Sequence, residues 1–194
     1  APPNVDAGPD MIINCYNSTV ILDGSNSDGG PGYVYSWTTQ GGNILNGGNT
    51  PTPEVNAPGL YTLTITNQTN GCVDFAVTTV TQDITPPQAL IIPPPTITCF
   101  VPEVVIDASP SGANGNIDVD WQTPNGNIVT GGNTLTPTVD APGTYILTVT
   151  NTDNGCPATN AIVVNEDVDD PLVAIAPPLT VTCALTQFPL DGTA

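Results

Sequence analysis

The chain contains no lysine, arginine or histidine, so no side chain carries a positive charge at neutral pH, while aspartate and glutamate total 18. Nucleic-acid binding is not expected, because neutralising phosphates requires lysine or arginine. Docking on an anionic membrane surface is disfavoured for the same reason. The carboxylates must be solvated, bind metal cations or face the charge of a partner. Solvation, which keeps an extended chain soluble, is the simplest of the three.

Segments that target or cross membranes are also lacking. The sequence has no signal peptide and no apolar run long enough to span a bilayer, so direct membrane insertion is not expected. No stretch shows the apolar period of a helix. The 22 prolines and 19 glycines are spread along the chain as turn residues. With 39% hydrophobic residues in alternating runs, this composition favours packed sheets over disorder.

What is present is a strict repeat of 84 residues. Residues that recur at this spacing are Cys15, Cys99 and Cys183, then Cys72 and Cys156, and then Trp37 and Trp121. A period of this length predicts tandem copies of one small domain. The predicted copies span residues 1–85, 86–170 and 171–194, the last being the opening part of a third copy. Both ends of the chain fall within the repeat pattern, and we expect them to be cuts through a longer array.

The five cysteines follow the repeat, with two in each complete copy. We predict disulfides within each copy, Cys15 with Cys72 and Cys99 with Cys156, and a partner beyond the chain for Cys183. Each bridge would contribute about 4 kcal/mol by closing a loop in the unfolded chain of a small domain. Metal binding is the weaker alternative because close CxxC pairs are missing, and a reactive thiol would need an electropositive setting. Disulfides imply an oxidising, extracytoplasmic compartment.

Comparing the copies separates inward from outward positions. Residues 33–37 read Tyr-Val-Tyr-Ser-Trp, and residues 117–121 read Ile-Asp-Val-Asp-Trp. The first, third and fifth positions stay apolar while the others become aspartate, so the first set faces the core. Residues 61–66 alternate Tyr, Leu and Ile with three threonines, which predicts another strand with one buried face. Val20 and Leu22 are predicted to point inward by the same comparison.

The predicted fold is all-β and consists of tandem immunoglobulin-like β-sandwich repeats stapled by disulfides. About seven short strands per copy, a buried tryptophan on a middle strand and a flanking pair of cysteines carry this prediction. Tyr61 and Tyr145 stand at the start of a late strand, where a tyrosine corner forms in such domains. Each tyrosine precedes a cysteine by eleven residues and not by two. The disulfides are therefore expected to join strand ends and not sheet centres.

Several segments resemble the PKD-type immunoglobulin-like repeat. They are residues 22–25 (Leu-Asp-Gly-Ser), 35–37 (Tyr-Ser-Trp) and 57–67 (Ala-Pro-Gly-Leu-Tyr-Thr-Leu-Thr-Ile-Thr-Asn). Residues 5–10, followed by Cys15, are similar to tandem repeats in very long surface and secreted proteins of Bacteroidota, including adhesins of gliding bacteria. Residues 38–42 depart from the aspartate-rich loop of that repeat. The resemblance covers the whole chain and implies extracellular spacer, adhesion or fibre duties without catalysis.

Four carboxylates lie at the junction between the second and third copies: Glu166, Asp167, Asp169 and Asp170. With no cation nearby, they could bind Ca²⁺ through their oxygens and stiffen the junction. The junction before the second copy carries only Asp83, although a structural calcium site should recur at every junction of a regular fibre. Solvated linker acids are the alternative, and no other cofactor is expected.

No catalytic residue is predicted, and we do not expect an enzyme. Without histidine, lysine and arginine, the usual general bases, Schiff-base formers and oxyanion-stabilising cations are missing. Asp118 and Asp120 could act as a glycosidase pair. Val34 and Ser36 occupy the equivalent positions of the first copy. The two aspartates are therefore interpreted as a solvated strand face.

The function that the sequence predicts is that of a structural, extracellular fibre or stalk segment within a longer cell-surface or secreted filament. Its partners would be neighbouring repeats or copies of itself. The alternative is an adhesin that binds a glycan or a protein through exposed strand faces or loops. Trp37 and Tyr61 are predicted to be buried, which leaves Tyr16 and Phe100 as aromatic rings that could stack on a sugar. This shortage of exposed aromatic surface favours the structural function.

Overall fold

The computed structural model describes residues 1–113 and 115–169, together with the backbone of residues 174–175 and 192–193. Every regular element in these residues is a β-strand, and they contain no helix that is long and apolar enough to cross a membrane. The strands are β1 (Met11–Asn14), β2 (Val20–Ile21), β3 (Tyr33–Gln40), β4 (Ile44–Asn46), β5 (Glu54–Val55), β6 (Gly59–Asn67), β7 (Val73–Asp83), β8 (Ile97–Thr98), β9 (Val104–Val105), β10 (Ile117–Gln122), β11 (Ile128–Thr130), β12 (Thr138–Val139), β13 (Gly143–Asn151), β14 (Pro157–Val164), β15 (Glu166–Asp167), β16 (Ala174–Ile175) and β17 (Gly192–Thr193).

Strands β1 to β7 form the first unit, which has two sheets. One sheet has the order β1-β7-β6-β3, and the other has the order β2-β5-β4. All neighbouring strands are antiparallel except β1 and β7, which run parallel. The second, fourth and fifth strands thus share one sheet and the third, sixth and seventh share the other, which is the immunoglobulin topology. The predicted all-β, immunoglobulin-like fold is confirmed.

Strands β8 to β15 form the second unit with the same neighbours. Its sheets have the orders β10-β13-β14 and β11-β12-β9. The last strand is interrupted at Asn165, and its continuation β15 pairs in parallel with β8, as the end of β7 pairs with β1. The first and last strands of each unit therefore meet at the same end of the sandwich.

Strand alternation builds the core of each unit. The fully buried side chains of β6 and β13 are Tyr61, Leu63, Ile65, Tyr145, Leu147 and Val149. They alternate with less buried residues because successive residues of a strand point to opposite faces. Trp37 and Trp121 are buried in the two clusters, as predicted. The last strand, for which the sequence indicated no inner face, turns Thr78 and Val80 inward on β7.

The buried apolar side chains fall into two clusters, one within residues 7–80 and one within residues 97–164. Each cluster lies between the two sheets of one unit, so each unit has its own core. The domain boundaries after residues 85 and 170 remain a prediction. The third copy, residues 171–194, lies outside the described residues except for the short antiparallel pair β16 and β17.

Both expected tyrosine corners are present. The Tyr61 hydroxyl donates a hydrogen bond to the Ala57 carbonyl at 2.6 Å and accepts one from the Asn43 N–H at 3.0 Å. The Tyr145 hydroxyl likewise donates to the Ala141 carbonyl at 2.6 Å. Each corner ties the start of a core strand to the loop before it, as in other immunoglobulin-like domains.

Replacing Tyr145 with phenylalanine should lower the free energy of unfolding of the second unit by about 1–3 kcal/mol. The Ala141 carbonyl and the Asn127 N–H would lose the hydroxyl that both contact. Tyr35→Phe is the control, because its hydroxyl bonds the Asp28 carbonyl at an exposed site and its loss should cost less than about 0.5 kcal/mol. Urea denaturation measures both, and equal losses would contradict a structural role for the corner.

Candidate functional site: the joint between the two units

A disulfide joins the two units. It links Cys15 to Cys156, with a Cα–Cα distance of 5.0 Å and a sequence separation of 141 residues. The predicted pairs, Cys15 with Cys72 and Cys99 with Cys156, are therefore wrong. Cys72 and Cys99 are free within the described part of the chain, and Cys183 lies outside it. The bond joins strand ends, as expected, but the ends belong to different units.

The parallel pairing of β1 and β7 explains why the cysteines of one unit do not meet. Cys72 precedes β7, whereas Cys15 follows β1, whose last residue Asn14 pairs with Asp83 at the far end of β7. With 11 residues in β7, at about 3.3 Å per residue, the two cysteines lie about 35 Å apart. A disulfide needs Cα atoms within about 7 Å of each other. In this topology only another unit can supply the partner.

One side of the joint is the turn between β13 and β14, residues 151–156. The Gly155 N–H donates to the Asn151 carbonyl at 2.8 Å, and the Asn151 N–H donates to the Cys156 carbonyl at 3.0 Å. The Asn154 side-chain oxygen accepts a bond from the Cys156 N–H at 2.9 Å. Gly155 has a φ of +76°, which glycine adopts without steric cost. We call this segment the second Asn-Gly-Cys turn.

The other side is the turn after β1, residues 14–17, which we call the first Cys-aromatic turn. The Asn14 N–H donates to the Asn17 carbonyl at 3.0 Å, and the Asn17 N–H donates to the Asn14 side-chain oxygen at 2.9 Å. These bonds close the turn and present Cys15 and Tyr16 at the end of the unit.

The two turns contact each other through the backbone and through an aromatic ring. The Cys15 N–H donates to the Asn154 carbonyl at 2.9 Å. The Tyr16 ring lies against Gly155, so closely that a Cβ built there would be 2.5 Å from the ring's Cγ. Only glycine leaves room for this ring, which gives the glycine of the turn a second role besides its positive φ.

A buried amide adds a polar contact beside the disulfide. Asn154 is 2% exposed, and its Nδ2 donates to Asp83 Oδ1 and to the Thr85 carbonyl, both at 3.0 Å. The Asn154 amide, and after it the Thr85 backbone N–H, lowers the pKa of Asp83 below its ordinary value of 3.8. One side chain of the second unit thus holds the end of β7 and the start of the connecting segment.

Replacing Asn154 with alanine should raise the pKa of Asp83 towards its ordinary value. A carboxyl with a depressed pKa in the folded state stabilises that state above its ordinary pKa, and the contribution is lost as the pH falls through the lowered pKa. The contact with Asn154 should therefore weaken only in acid. NMR titration of the Asp83 carboxyl carbon measures the shift.

Asn70→Ala is the matched control for this titration. Asn70 occupies the same position in the turn between β6 and β7, but its amide donates to the Ala1 carbonyl at 3.2 Å and not to a carboxylate. The control should leave the Asp83 pKa unchanged. An unchanged pKa in Asn154→Ala would show that the side-chain contact does not hold the carboxylate.

The predicted calcium ligands lie at the end of the second unit. Glu166 and Asp167 form β15 and are exposed, as is Asp169, whereas Asp170 lies outside the described residues. Within the described ranges, no three His, Cys, Asp or Glu side chains are grouped so that they could hold a metal ion. Calcium binding here stays a prediction, which thermal unfolding during a Ca²⁺ titration would test.

The two aspartates that could form a glycosidase pair are exposed. Asp118 and Asp120 lie on the outward face of β10. Asp23 and Asp107 have pKa values lowered first by the hydroxyl and then by the N–H of the serine two residues later, which marks them as turn residues. Asp120 accepts a hydrogen bond from the Gln122 side-chain amide at 2.9 Å, which fits a solvated strand face.

The joint includes residues that sequence reasoning did not identify as functional. Asn154 and Gly155 recur one repeat earlier as Asn70 and Gly71, and this recurrence was the available signal. It was compatible with an ordinary turn, because asparagine and glycine are common turn residues. Their contact with another unit is visible only in the structure.

No protein-family model and no curated protein matches the chain. Similar solved structures include the N-terminal eight Ig domains of Down Syndrome Cell Adhesion Molecule, at 14% identity over 85% of this chain and 27% of that one, with a TM-score of 0.47. Sidekick-1 immunoglobulin domains 1–4 match at 12% identity over 87% and 49% of the two chains, with a TM-score of 0.38. A chimeric titin Z1Z2-Z1Z2 tandem matches at 15% identity over 86% and 100%, with a TM-score of 0.32.

The chain spans less than half the length of the first two of these proteins. At these identities and TM-scores, the likenesses assign no function to it.

Proposed function

We propose that the chain is a segment of an extracellular structural fibre or stalk, in which immunoglobulin-like units extend end to end within a longer surface or secreted filament. The observation that carries the proposal is the joint. Covalent and polar contacts hold neighbouring units together at their ends, beyond the chain segment that connects them. A joint with two attachments resists bending more than a single linker does.

The positions of the joint surfaces favour a linear assembly. In the second unit, Cys156 precedes β14, whereas Cys99 follows β8, which pairs with β15 beyond the far end of β14. The strand path over residues 157–167 separates the two ends by about 35 Å. Different surfaces at opposite ends generate head-to-tail chains, whereas one self-complementary surface generates closed pairs.

Charge and redox chemistry support an extracellular location. The chain carries 18 acidic side chains and no basic side chain, so parallel fibres would repel one another and stay soluble. Trypsin-like proteases, which cut after lysine or arginine, find no site in the chain. Structural disulfides such as Cys15–Cys156 are typical of oxidising, extracytoplasmic compartments.

Electron microscopy of the native assembly tests this function. We expect unbranched threads whose axial repeat equals one immunoglobulin-like unit. Reduction of the Cys15–Cys156 disulfide should make the threads bend more sharply at the joint within each chain, because only the connecting segment and the polar contacts then hold the two units together. Isolated compact particles, or a lattice in which threads are not resolved, would contradict the proposal.

A second candidate function, adhesion, is favoured by one observation. The outward face of β7 carries Val73, Phe75 and Val77, which are 54%, 65% and 52% exposed. The equivalent face of β14 is less apolar, with Pro157, Thr159 and Ala161. Exposed apolar patches are common at protein interaction sites.

Cell-binding and glycan-array measurements on the whole chain decide between the two functions. Specific binding that Phe75→Ala removes would support an adhesin. An absence of binding, together with threads in the micrographs, would support the fibre.

A further inference from the structure

The end of the second unit repeats the surface that the first unit presents at the joint. Residues 98–101, after β8, form a second Cys-aromatic turn. The Thr98 N–H donates to the Val101 carbonyl at 3.0 Å, and the Val101 N–H donates to the Thr98 hydroxyl at 3.0 Å. The same pair of positions closes the first Cys-aromatic turn. Cys99 and Phe100 are presented as Cys15 and Tyr16 are in the first unit.

The carboxylate beside this turn also recurs. Asp83 pairs with Asn14 at the end of β7, and Asp167 pairs with Thr98 in β15 in the same parallel arrangement. At the joint, Asp83 accepts a hydrogen bond from the asparagine of the second Asn-Gly-Cys turn. Asp167 is exposed and stands where it could accept the same bond from another unit.

In the described structure, this second surface is uncovered except at the Cys99 thiol, which donates a long hydrogen bond of 3.8 Å to the Val168 carbonyl of the same unit. Phe100 is 94% exposed, compared with 61% for Tyr16 at the formed joint. Cys99 is exposed and free. Removing an aromatic ring from water is favourable in proportion to the apolar area covered, so a turn that packs on Phe100 would gain binding free energy.

The complementary turn is present at the opposite end of the chain. The first Asn-Gly-Cys turn, residues 67–72, repeats the hydrogen bonds of the second. The Gly71 N–H donates to the Asn67 carbonyl at 2.8 Å, and the Cys72 N–H donates to the Asn70 side-chain oxygen at 2.9 Å. Gly71 has a φ of +72°, and a Cβ built on it would meet no atom within 4 Å.

The second Asn-Gly-Cys turn is in contact with another unit, and within the described residues the first is not. Both turns nevertheless have the same internal hydrogen bonds. Little conformational entropy would therefore be lost when the first turn binds. The uncovered side of Gly71 corresponds to the side of Gly155 on which the Tyr16 ring packs at the formed joint.

We propose that the second Cys-aromatic turn is a docking site for the first Asn-Gly-Cys turn of another copy of this chain, closed by a disulfide between Cys99 and Cys72. The ring of Phe100 packs on Gly71 of the incoming copy, and Asp167 accepts the hydrogen bond of its Asn70 amide. The inference names the partner and the contact of the fibre described above, and in that sense it rests on the proposed function.

The bond forms by thiol–disulfide exchange with a small-molecule disulfide such as oxidised glutathione. The thiolate of one cysteine attacks the glutathione disulfide and releases one glutathione, which takes up a proton. The thiolate of the second cysteine then displaces the other glutathione from the mixed disulfide. Two protein thiols are oxidised to one disulfide, and one oxidised glutathione is reduced to two glutathione thiols.

Two single-thiol chains test the pairing. In a Cys183→Ser background, Cys72→Ser leaves Cys99 as the only free thiol outside the joint, and Cys99→Ser leaves Cys72. Each chain alone, and an equal mixture of the two, is equilibrated in a glutathione redox buffer and run on a non-reducing gel. Labelling one chain with a heavy isotope identifies mixed dimers by mass spectrometry. Random pairing would yield as much symmetrical as mixed disulfide.

We expect mixed Cys72–Cys99 dimers to exceed the symmetrical dimers at least tenfold. Phe100→Ala in the Cys99 chain should lower the yield of mixed dimer about tenfold, which corresponds to 1.4 kcal/mol of contact free energy. The control is Ile21→Ala, which removes an exposed apolar side chain from β2 and should leave the yield unchanged. Equal symmetrical and mixed yields, or thiols that stay reduced, would overturn the proposal.

The outcome also separates this inference from the proposed function. If native threads are seen but mixed dimers do not form, the fibre stands and this docking contact is wrong. If mixed dimers form but no threads are seen, the contact stands and the fibre is wrong.

Discussion

Replacing Trp121 with alanine should destabilise the second unit by about 3–5 kcal/mol, the range for removing a large aromatic side chain from a core. Trp121 is 4% exposed within the cluster of the second unit, and its indole N–H donates to the Thr134 carbonyl at 3.0 Å. An immunoglobulin-like unit of about 80 residues has a total stability of about 4–12 kcal/mol. The variant would thus lose a large fraction of the stability of that unit.

Hydrogen exchange measured by mass spectrometry locates this effect. Amides of β13 should exchange faster in Trp121→Ala, whereas amides of β6, in the other core, should keep their protection. Trp37→Ala is the mirror control, because Trp37 bonds the Thr50 carbonyl in the first unit at the same 3.0 Å distance. If either variant accelerated exchange equally in both strands, the two cores would unfold as one and not as separate domains.

Replacing Cys15 with serine should be the most damaging change at the joint. In the chain-entropy account, a bond that closes a loop of 141 residues contributes about 5 kcal/mol, and the value is about 4 kcal/mol if only the second unit unfolds. Cys15 is exposed, so the exchange of sulfur for oxygen adds no burial cost of its own. Cys156 would remain as a small buried thiol, which packs like an apolar residue.

Cys72→Ser is the control that distinguishes the Cys15–Cys156 pairing seen in the structure from the Cys15–Cys72 pairing predicted from the sequence. Because Cys72 is free in the structure, the change should alter stability by less than about 0.5 kcal/mol. Urea denaturation under non-reducing conditions measures both variants, and small-angle X-ray scattering should show a wider distribution of inter-unit distances only in Cys15→Ser. Comparable destabilisation by Cys72→Ser would favour the pairing within one unit.

Strand alternation made much of the fold predictable. Trp37, Tyr61 and the apolar residues between threonines on β6 were identified as buried because the period of a strand is two residues, a local property. Comparing the copies supports this assignment of the buried face. Asp118 and Asp120 stand where the first copy has Val34 and Ser36, and the inward positions between them stay apolar. The tyrosine corner was predictable for a similar reason, because its partner carbonyl lies only four residues earlier.

The candidate site was less predictable. The repeat led to pairing of the two cysteines within each copy, and Asn154 was not identified as a contact residue. Sequence proximity favoured the shorter loop between Cys15 and Cys72. It contained no information on the direction in which β1 runs beside β7.

The sequence by itself determined the all-β class, the inward face of the main strands, the turn positions and an acidic surface without cations. These follow from side-chain periodicity and composition, which act over a few residues. Only the tertiary structure decided how the cysteines pair. Parallel pairing of β1 with β7 sends Cys15 and Cys72 to opposite ends of one unit, about 35 Å apart. A disulfide spans only a few ångströms, so the bond had to join Cys15 to the next unit, and a turn motif became a joint.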